Sequence, residues 1–151
     1  MKLSFANMIG DICDKNGADK FKVLKSIGSD SRIVNKYFKP GYSYGGPCFP
    51  RDTRALELFV SQNDLPFQLL SSTTEYNEFH VIFQANQLLK EHINDETITI
   101  ENVSFKQTDT TNIIEESAKL RIAKYLVKKG KKVIIKDVKI ILDEVRKEYG
   151  N

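Results

Sequence analysis

The sequence predicts two kinds of architecture in one chain, an α-helical part over residues 1–94 and then the opening of an α/β part over residues 95–151. Three observations carry that prediction. Up to residue 93 the apolar side chains recur at helical spacing. Asn94-Asp95-Glu96 is a polar break at which the composition changes. Beyond it an alternating run, a helical run and a second strand-like run follow in the order of a βαβ unit.

Taken in order, Lys2 to Asp14 places Leu3, Phe5, Ile9, Ile12 and Cys13 at near-helical spacing, with Gly17 as the stop, so Cys13 is expected in the core. No Ser, Thr, Asp or Asn precedes the first apolar residue, so this helix begins with no cap of its own, as a start inside a longer helix would. Asp19 caps a short helix expected to turn Phe21, Val23, Leu24 and Ile27 inward, and Gly28 closes it. Asp30 caps the next turn. A helix from Asp52 to Gln62 is expected to bury Ala55, Leu56, Leu58 and Phe59. After the Asn63-Asp64 break Pro66 opens a long helix, residues 66–93. Its stripe of Leu69, Leu70, Phe79, Ile82, Phe83, Ala85, Leu88, Leu89 and Ile93 is long enough for an interface between two chains or two domains.

In the second part Thr97-Ile98-Thr99-Ile100 alternates as a strand does, and Glu115 to Lys129 returns to helical spacing through Ala118, Ile122, Ala123, Leu126 and Val127. Gly130 ends that helix before the strand Lys132-Val133-Ile134-Ile135, and a last helix over Val138 to Tyr149 patches one face. A parallel pair with one crossover helix cannot cover both faces of its sheet, so a larger α/β domain is expected.

Composition narrows the function classes. With 40% apolar and 28% charged residues in 151, the chain reads as a soluble globular protein. No run approaches the roughly 18 apolar residues of a spanning helix, and no basic-then-apolar signal opens the chain, so a cytoplasmic protein is expected with no membrane partner. Cys13 and Cys48 are the only thiols, which supplies neither a disulfide framework nor a Cys/His metal spacing. The net charge of +3 selects no partner. Lysines near the C-terminus are mixed with Asp137, Asp143, Glu144 and Glu148, so no nucleic-acid stripe is read there.

Chemistry concentrates in Gly41-Tyr42-Ser43-Tyr44-Gly45-Gly46-Pro47-Cys48-Phe49-Pro50-Arg51-Asp52. Paired glycines allow positive φ and close approach to a ligand, and prolines on either side of Cys48 stiffen its turn, so the thiol is presented as a nucleophile would be. Arg51 and the start of the helix that Asp52 opens favour the thiolate. The bland alternative is a tight loop with a half-buried cysteine. Upstream, Arg32 and Lys36-Tyr37-Phe38-Lys39 put cations beside rings, which suits a nucleotide diphosphate or, equally, a solvated cluster. A Cys48-His80 hydrolase lacks a readable orienting group or oxyanion motif. No G-x-G-x-x-G or Walker-type run is present.

The run Tyr44-Gly45-Gly46-Pro47-Cys48-Phe49-Pro50-Arg51-Asp52 resembles the active-site segment of the UDP-glucose/GDP-mannose dehydrogenase family, a G-G-x-C-F-x-[KR]-D pattern. Lys2-Leu3-Ser4-Phe5-Ala6-Asn7, Gly17-Ala18-Asp19, Asp30-Ser31-Arg32-Ile33, Asn77, Val103-Ser104-Phe105-Lys106 and Glu116-Ser117 extend the resemblance over nearly the whole chain. It implies a central helical dimerisation domain, paired through the helix over 66–93, followed by part of a Rossmann-like UDP-binding domain. It implies NAD as cofactor and a UDP-sugar as ligand. The implied reaction is the double oxidation of a sugar C6 alcohol to a carboxylate, with Cys48 as nucleophile and Asp52 assisting water and proton transfer. Arg32 is implied to reach a sugar nucleotide in a neighbouring subunit. Tyr37, Lys39, Tyr42, Tyr44 and Gly45 are implied to wrap the UDP-sugar, with Phe105 and Lys106 contacting it from the later segment.

The departures are equally specific. The family's catalytic lysine and asparagine have no counterpart, and its NAD-binding fold would precede Met1. The pattern F-K-x-x-T-D-D-x-R-E-S becomes Phe105 to Ser117, two residues longer and without the arginine that helps hold the cofactor. Two readings follow. One is a split or truncated nucleotide-sugar dehydrogenase that needs a separate NAD-binding chain and is inactive alone. The other is a non-catalytic UDP-sugar-binding or dimerising module, or a gene remnant.

Overall fold

The computed structural model of the chain describes residues 1–105 and 112–150. Its elements are α1 (Lys2–Asn16), α2 (Lys20–Gly28), α3 (Phe49–Gln62), α4 (Gln68–Glu91), β1 (Thr97–Glu101), α5 (Ala118–Lys128), β2 (Lys132–Lys136) and α6 (Lys139–Tyr149). The described residues are therefore mostly helical, with one small parallel sheet. They fall into two compact units: unit 1 comprises Met1–Tyr44 and Thr53–His80, and unit 2 comprises Gly45–Asp52 and Val81–Asn151.

Unit 1 has a small apolar centre, Ala6, Leu24 and Phe38, with Ile9, Ile27 and Ile33 packed on it. As the glycine predicts, α1 ends at Gly17, which takes the left-handed conformation at φ 69° and donates its cap to Cys13 O. Asp19 caps α2 by accepting from the amides of Phe21 and Lys22. The inward set differs from the helical-spacing expectation. Phe21 is 63% exposed, and Phe5 and Ile12 are also exposed, while Ser4, Asn7, Gly10 and Asp11 are buried with Ala6 and Cys13. Hydrogen bonding decided this: the buried polar atoms of α1 all have partners in the unit, and Gly10 lets Pro40 approach to where a Cβ would sit 3.0 Å away.

Two further expectations are corrected. Cys48 O already accepts from Asp52 N at 2.8 Å, so α3 starts at Phe49 and Asp52 lies in its first turn instead of opening it. The Ala55, Leu56, Leu58 and Phe59 face of α3 is exposed, as are Leu65, Phe67 and Leu69: among the described residues none covers it. Of the long stripe on α4, Phe79 and Ile82 are also open, whereas Phe83 and Ala85 are buried.

Unit 2 holds the larger core. β1 and β2 pair in parallel in the register Ile98 to Val133 and Ile100 to Ile135, and α5 makes the crossover, as the βαβ pattern predicts. Ile98, Ile100, Val103, Ile114, Leu120, Ile122, Leu126 and Ile141 are buried together. Ser117, not Glu115, begins α5: its Oγ accepts from Leu120 N and donates to Val103 O. The second face of the sheet shows Thr99, Glu101, Lys132 and Lys136, with Lys136 paired to Glu101 at 3.7 Å, so apart from Ile134 it needs no apolar cover.

Candidate functional site

The stretch Gly41–Asp52 is shared between the two units, and each holds its part differently. In unit 1, three buried side chains from α1 and α4 fix the backbone of residues 41–44. Asn7 accepts from Gly41 N at 2.9 Å and donates to Tyr42 O at 3.2 Å. Asn77 accepts from Tyr44 N at 2.9 Å and donates back to Tyr44 O at 3.0 Å, while Ser43 Oγ donates to Asn77 O at 2.6 Å. Each asparagine thus pairs with backbone as a neighbouring strand would. His80 Nε2 meets Gly41 O at 2.7 Å, and its Nδ1 meets Asp11 Oδ2 at 2.8 Å. Tyr76 donates to the same Asp11 oxygen at 2.7 Å.

His80 thus has the orienting carboxylate that the sequence did not reveal. It is nevertheless no base for a thiol, because both ring nitrogens are engaged within unit 1.

Ahead of this segment Val34 and Tyr37 stand at φ 65° and 60°, left-handed conformations that are strained for a β-branched and an aromatic residue. The segment between α2 and the loop therefore makes two turns with side chains that resist them. Arg32 folds back on Asp30 through Nε at 3.0 Å and Nη2 at 2.7 Å, which holds the Asp30 carboxyl below its usual range and raises the guanidinium. Tyr37, Lys39 and Tyr42 are exposed.

In unit 2 the Gly45–Asp52 part is held by what the glycines lack. A Cβ on Gly45 would fall 2.0 Å from Glu116 O, and one on Gly46, at φ 79°, would fall 2.4 Å from the Phe105 ring. Gly46 N donates to Glu115 O at 3.1 Å. The close approach that paired glycines permit is therefore to the chain's own later segment, and only Gly46 uses positive φ. Cys48 is exposed and occupies the residue before α3. Arg51 Nε donates to Asp52 Oδ1 at 2.8 Å, which raises the guanidinium, with smaller contributions from Cys48 and Glu115.

Phe105, which the resemblance assigns to the ligand, lies against Gly46, and Lys106 lies outside the described residues. The described residues do not fit a dinucleotide. The helix that follows a strand, α5, opens on its own Ser117 cap, and Glu115 and Glu116 precede it where a pyrophosphate would need cations. No group of His, Cys, Asp and Glu among the described residues is arranged to hold a metal, and no described helix is long and apolar enough to cross a membrane.

Comparison with known proteins decides the family. The model of the UDP-glucose/GDP-mannose dehydrogenase family central domain matches residues 1–79. The chain belongs to this family. UDP-glucose 6-dehydrogenase TuaD of Bacillus subtilis is 36% identical over 131 residues, which are 85% of this chain and 28% of that protein. The Gallus gallus UDP-glucose 6-dehydrogenase is 30% identical over 149 residues, 95% of this chain and 30% of the relative. Among solved structures, the UDP-glucose dehydrogenase of Pyrobaculum islandicum superposes with a TM-score of 0.87 at 29% identity, covering 99% of this chain and 34% of that one. A ternary complex of GDP-mannose dehydrogenase from Pseudomonas aeruginosa gives 0.64 at 32% identity, covering 98% and 34%. The chain thus spans about a third of the length of the relatives it matches.

The loop stands out in the sequence, and most of what holds it does not. Asn7 and Asn77 stand out only as matches to the family pattern, and Asp11 and Tyr76 do not stand out. Their signal was faint: polar residues on the faces of α1 and α4 that apolar spacing alone would assign to solvent.

Proposed function

We propose that this chain is the nucleotide-sugar half of an NAD-dependent UDP-sugar 6-dehydrogenase, with the cofactor held by residues outside this sequence. The observation that carries the reading is the fixed backbone of Gly41–Tyr44, set by Asn7, Asn77 and His80. A loop whose conformation is fixed before a ligand arrives loses less freedom on binding. In this reading residues 1–94 are the central helical domain and 95–151 the start of a Rossmann-like UDP-binding domain. The ligand residues are Arg32, Tyr37, Lys39, Tyr42, Tyr44, Gly45, Phe105 and Lys106. Cys48 is the nucleophile: its sulfur bonds to the C6 carbon of an aldehyde while the carbonyl oxygen takes up a proton. Asp52 positions the water. Arg32 reaches the ligand of a second copy and exchanges Asp30 for the pyrophosphate.

The open face of α3 and of the start of α4, Leu56, Phe59, Leu65 and Leu69, supports a homodimer; the setting proposed for it is cytoplasmic. The chain alone forms no NADH from UDP-glucose and NAD, because hydride transfer needs a bound nicotinamide. The test is titration calorimetry with UDP-glucose at concentrations where sedimentation shows a dimer. Binding that weakens in Arg32→Ala supports the reading, and equal affinity in the two removes the arginine's role. A Cys48-dependent rise in NADH absorbance from the chain alone contradicts the division of labour.

Glu115 and Glu116, standing before α5 where a cofactor's pyrophosphate would need cations, favour a second reading, a UDP-sugar-binding module with no catalytic duty. Supplying a complete NAD-binding half with the missing lysine and asparagine discriminates the two. Rescue to parity with an intact family partner makes this a split enzyme. Weak rescue that improves when the family's spacing and arginine are restored at 105–117 makes it a module or remnant.

A further inference from the structure

We propose that the buried Asp11–His80 pair is a proton-operated clamp on the start of the glycine loop, holding the Gly41 carbonyl when the pair carries its extra proton and releasing it otherwise. The geometry requires that proton. Gly41 O can only accept, so the ring nitrogen 2.7 Å from it must carry a hydrogen. The other ring nitrogen lies 2.8 Å from a carboxylate oxygen. A neutral ring has one N–H, so it would leave a lone pair facing either the carbonyl or the ionised carboxylate. The contact pair is consistent only if the two groups together hold one proton more than a neutral ring beside an ionised carboxylate.

Burial makes the requirement strict, since His80 is 4% and Asp11 5% exposed and water cannot readily replace either partner. The groups facing the ring include the Asp11 carboxylate from α1, the Tyr76 phenol one turn back on α4 and the Gly41 carbonyl from the loop. Tyr76 is no competing acceptor. Burial, and then its bond to Asp11, raise the phenol so that it stays a donor. When the pair loses its proton one of the two ring contacts must break. The remaining ring N–H bonds the ionised Asp11 carboxylate more strongly than a neutral carbonyl, so release falls on the Gly41 side, where the loop keeps its amide bond to Asn7. The proposal does not depend on which ligand the loop meets.

The test is a nitrogen-15 titration of the histidine rings in the full chain, with the surface His92 as internal reference, alongside amide exchange at Gly41 and Tyr44. The expected result is a His80 ring carrying two protons where the loop is protected. Loss of one should coincide with a roughly tenfold fall in protection at Gly41, the equivalent of one charge-assisted hydrogen bond, while α5 amides hold constant. His80→Gln keeps one N–H for the carbonyl and cannot titrate, so its Gly41 protection should be flat with pH. A ring with a single proton beside an Asp11 carboxylate that its carbon-13 shift shows to be ionised, while Gly41 is fully protected, overturns the clamp. So does unchanged protection through the ring's titration, or retention of both protons until all of unit 1 unfolds.

Discussion

The two parts of the Gly41–Asp52 stretch are immobilised by opposite means. Residues 41–44 are gripped by polar side chains reaching from α1 and α4, whereas Gly45 and Gly46 sit where a side chain would collide with Phe105 and the Glu116 carbonyl. The surroundings differ in the same way: unit 1 has a small apolar centre threaded by a hydrogen-bonded network, and unit 2 has a broad apolar core under a parallel pair. A grip made of several hydrogen bonds loosens one bond at a time. A grip made of excluded volume fails at a single added carbon.

The largest break should come at Gly46. Gly46→Ala combines a left-handed φ with a clash against the Phe105 ring, so it should cost about 3 kcal/mol in urea unfolding. Adding Phe105→Ala should relieve the clash but not the backbone strain. In unit 1, Asn77→Ala removes both bonds to Tyr44 and should cost about 2 kcal/mol, raising amide exchange at Tyr44 while leaving Gly46 unchanged. Equal exchange at both amides would erase the contrast.

Alkaline pH should sharpen it. Burial first, then the Asp11 bond, raise the Tyr76 phenol above its unfolded value. Its contribution is therefore complete below a pH of about 10 and is lost as pH rises beyond that. Unit 1 should lose stability on that limb, and Tyr76→Phe should flatten it in a pH series of melting curves.

Smaller still, Val34→Gly relieves a β-branched residue at φ 65° and should stabilise by roughly 0.5–1 kcal/mol, less than the strain removed because glycine adds freedom to the unfolded chain. The smallest effect belongs to Arg32→Ala, where an exposed pair with Asp30 is lost and the melting midpoint should not move measurably.

Much of the fold was legible because caps and alternation are local. Gly17 and Asp19 ended and began helices where the sequence placed them, and the parallel pair followed from two short alternating runs and the helix between them. The inward faces were not legible. Phe5, Phe21 and Leu56 kept helical spacing yet stayed exposed, while Asn7 and Asp11 went inside, because what selected the face of α1 was a distant backbone segment in need of partners. Likewise Gly45-Gly46 announced a close approach without saying to what. The site's composition was readable and its supports were not, since every support reaches it from another element.

The central claim is that this loop is a preformed nucleotide-sugar element presenting Cys48, and alkylation of that thiol tests it most directly. Cys48 is exposed and Cys13 buried, so iodoacetamide should label the first selectively in the native chain, with the second as an internal control. UDP-glucose should slow Cys48 labelling saturably, and NAD alone should leave the rate unchanged. Labelling indifferent to UDP-glucose, or slowed as strongly by NAD, would contradict the account.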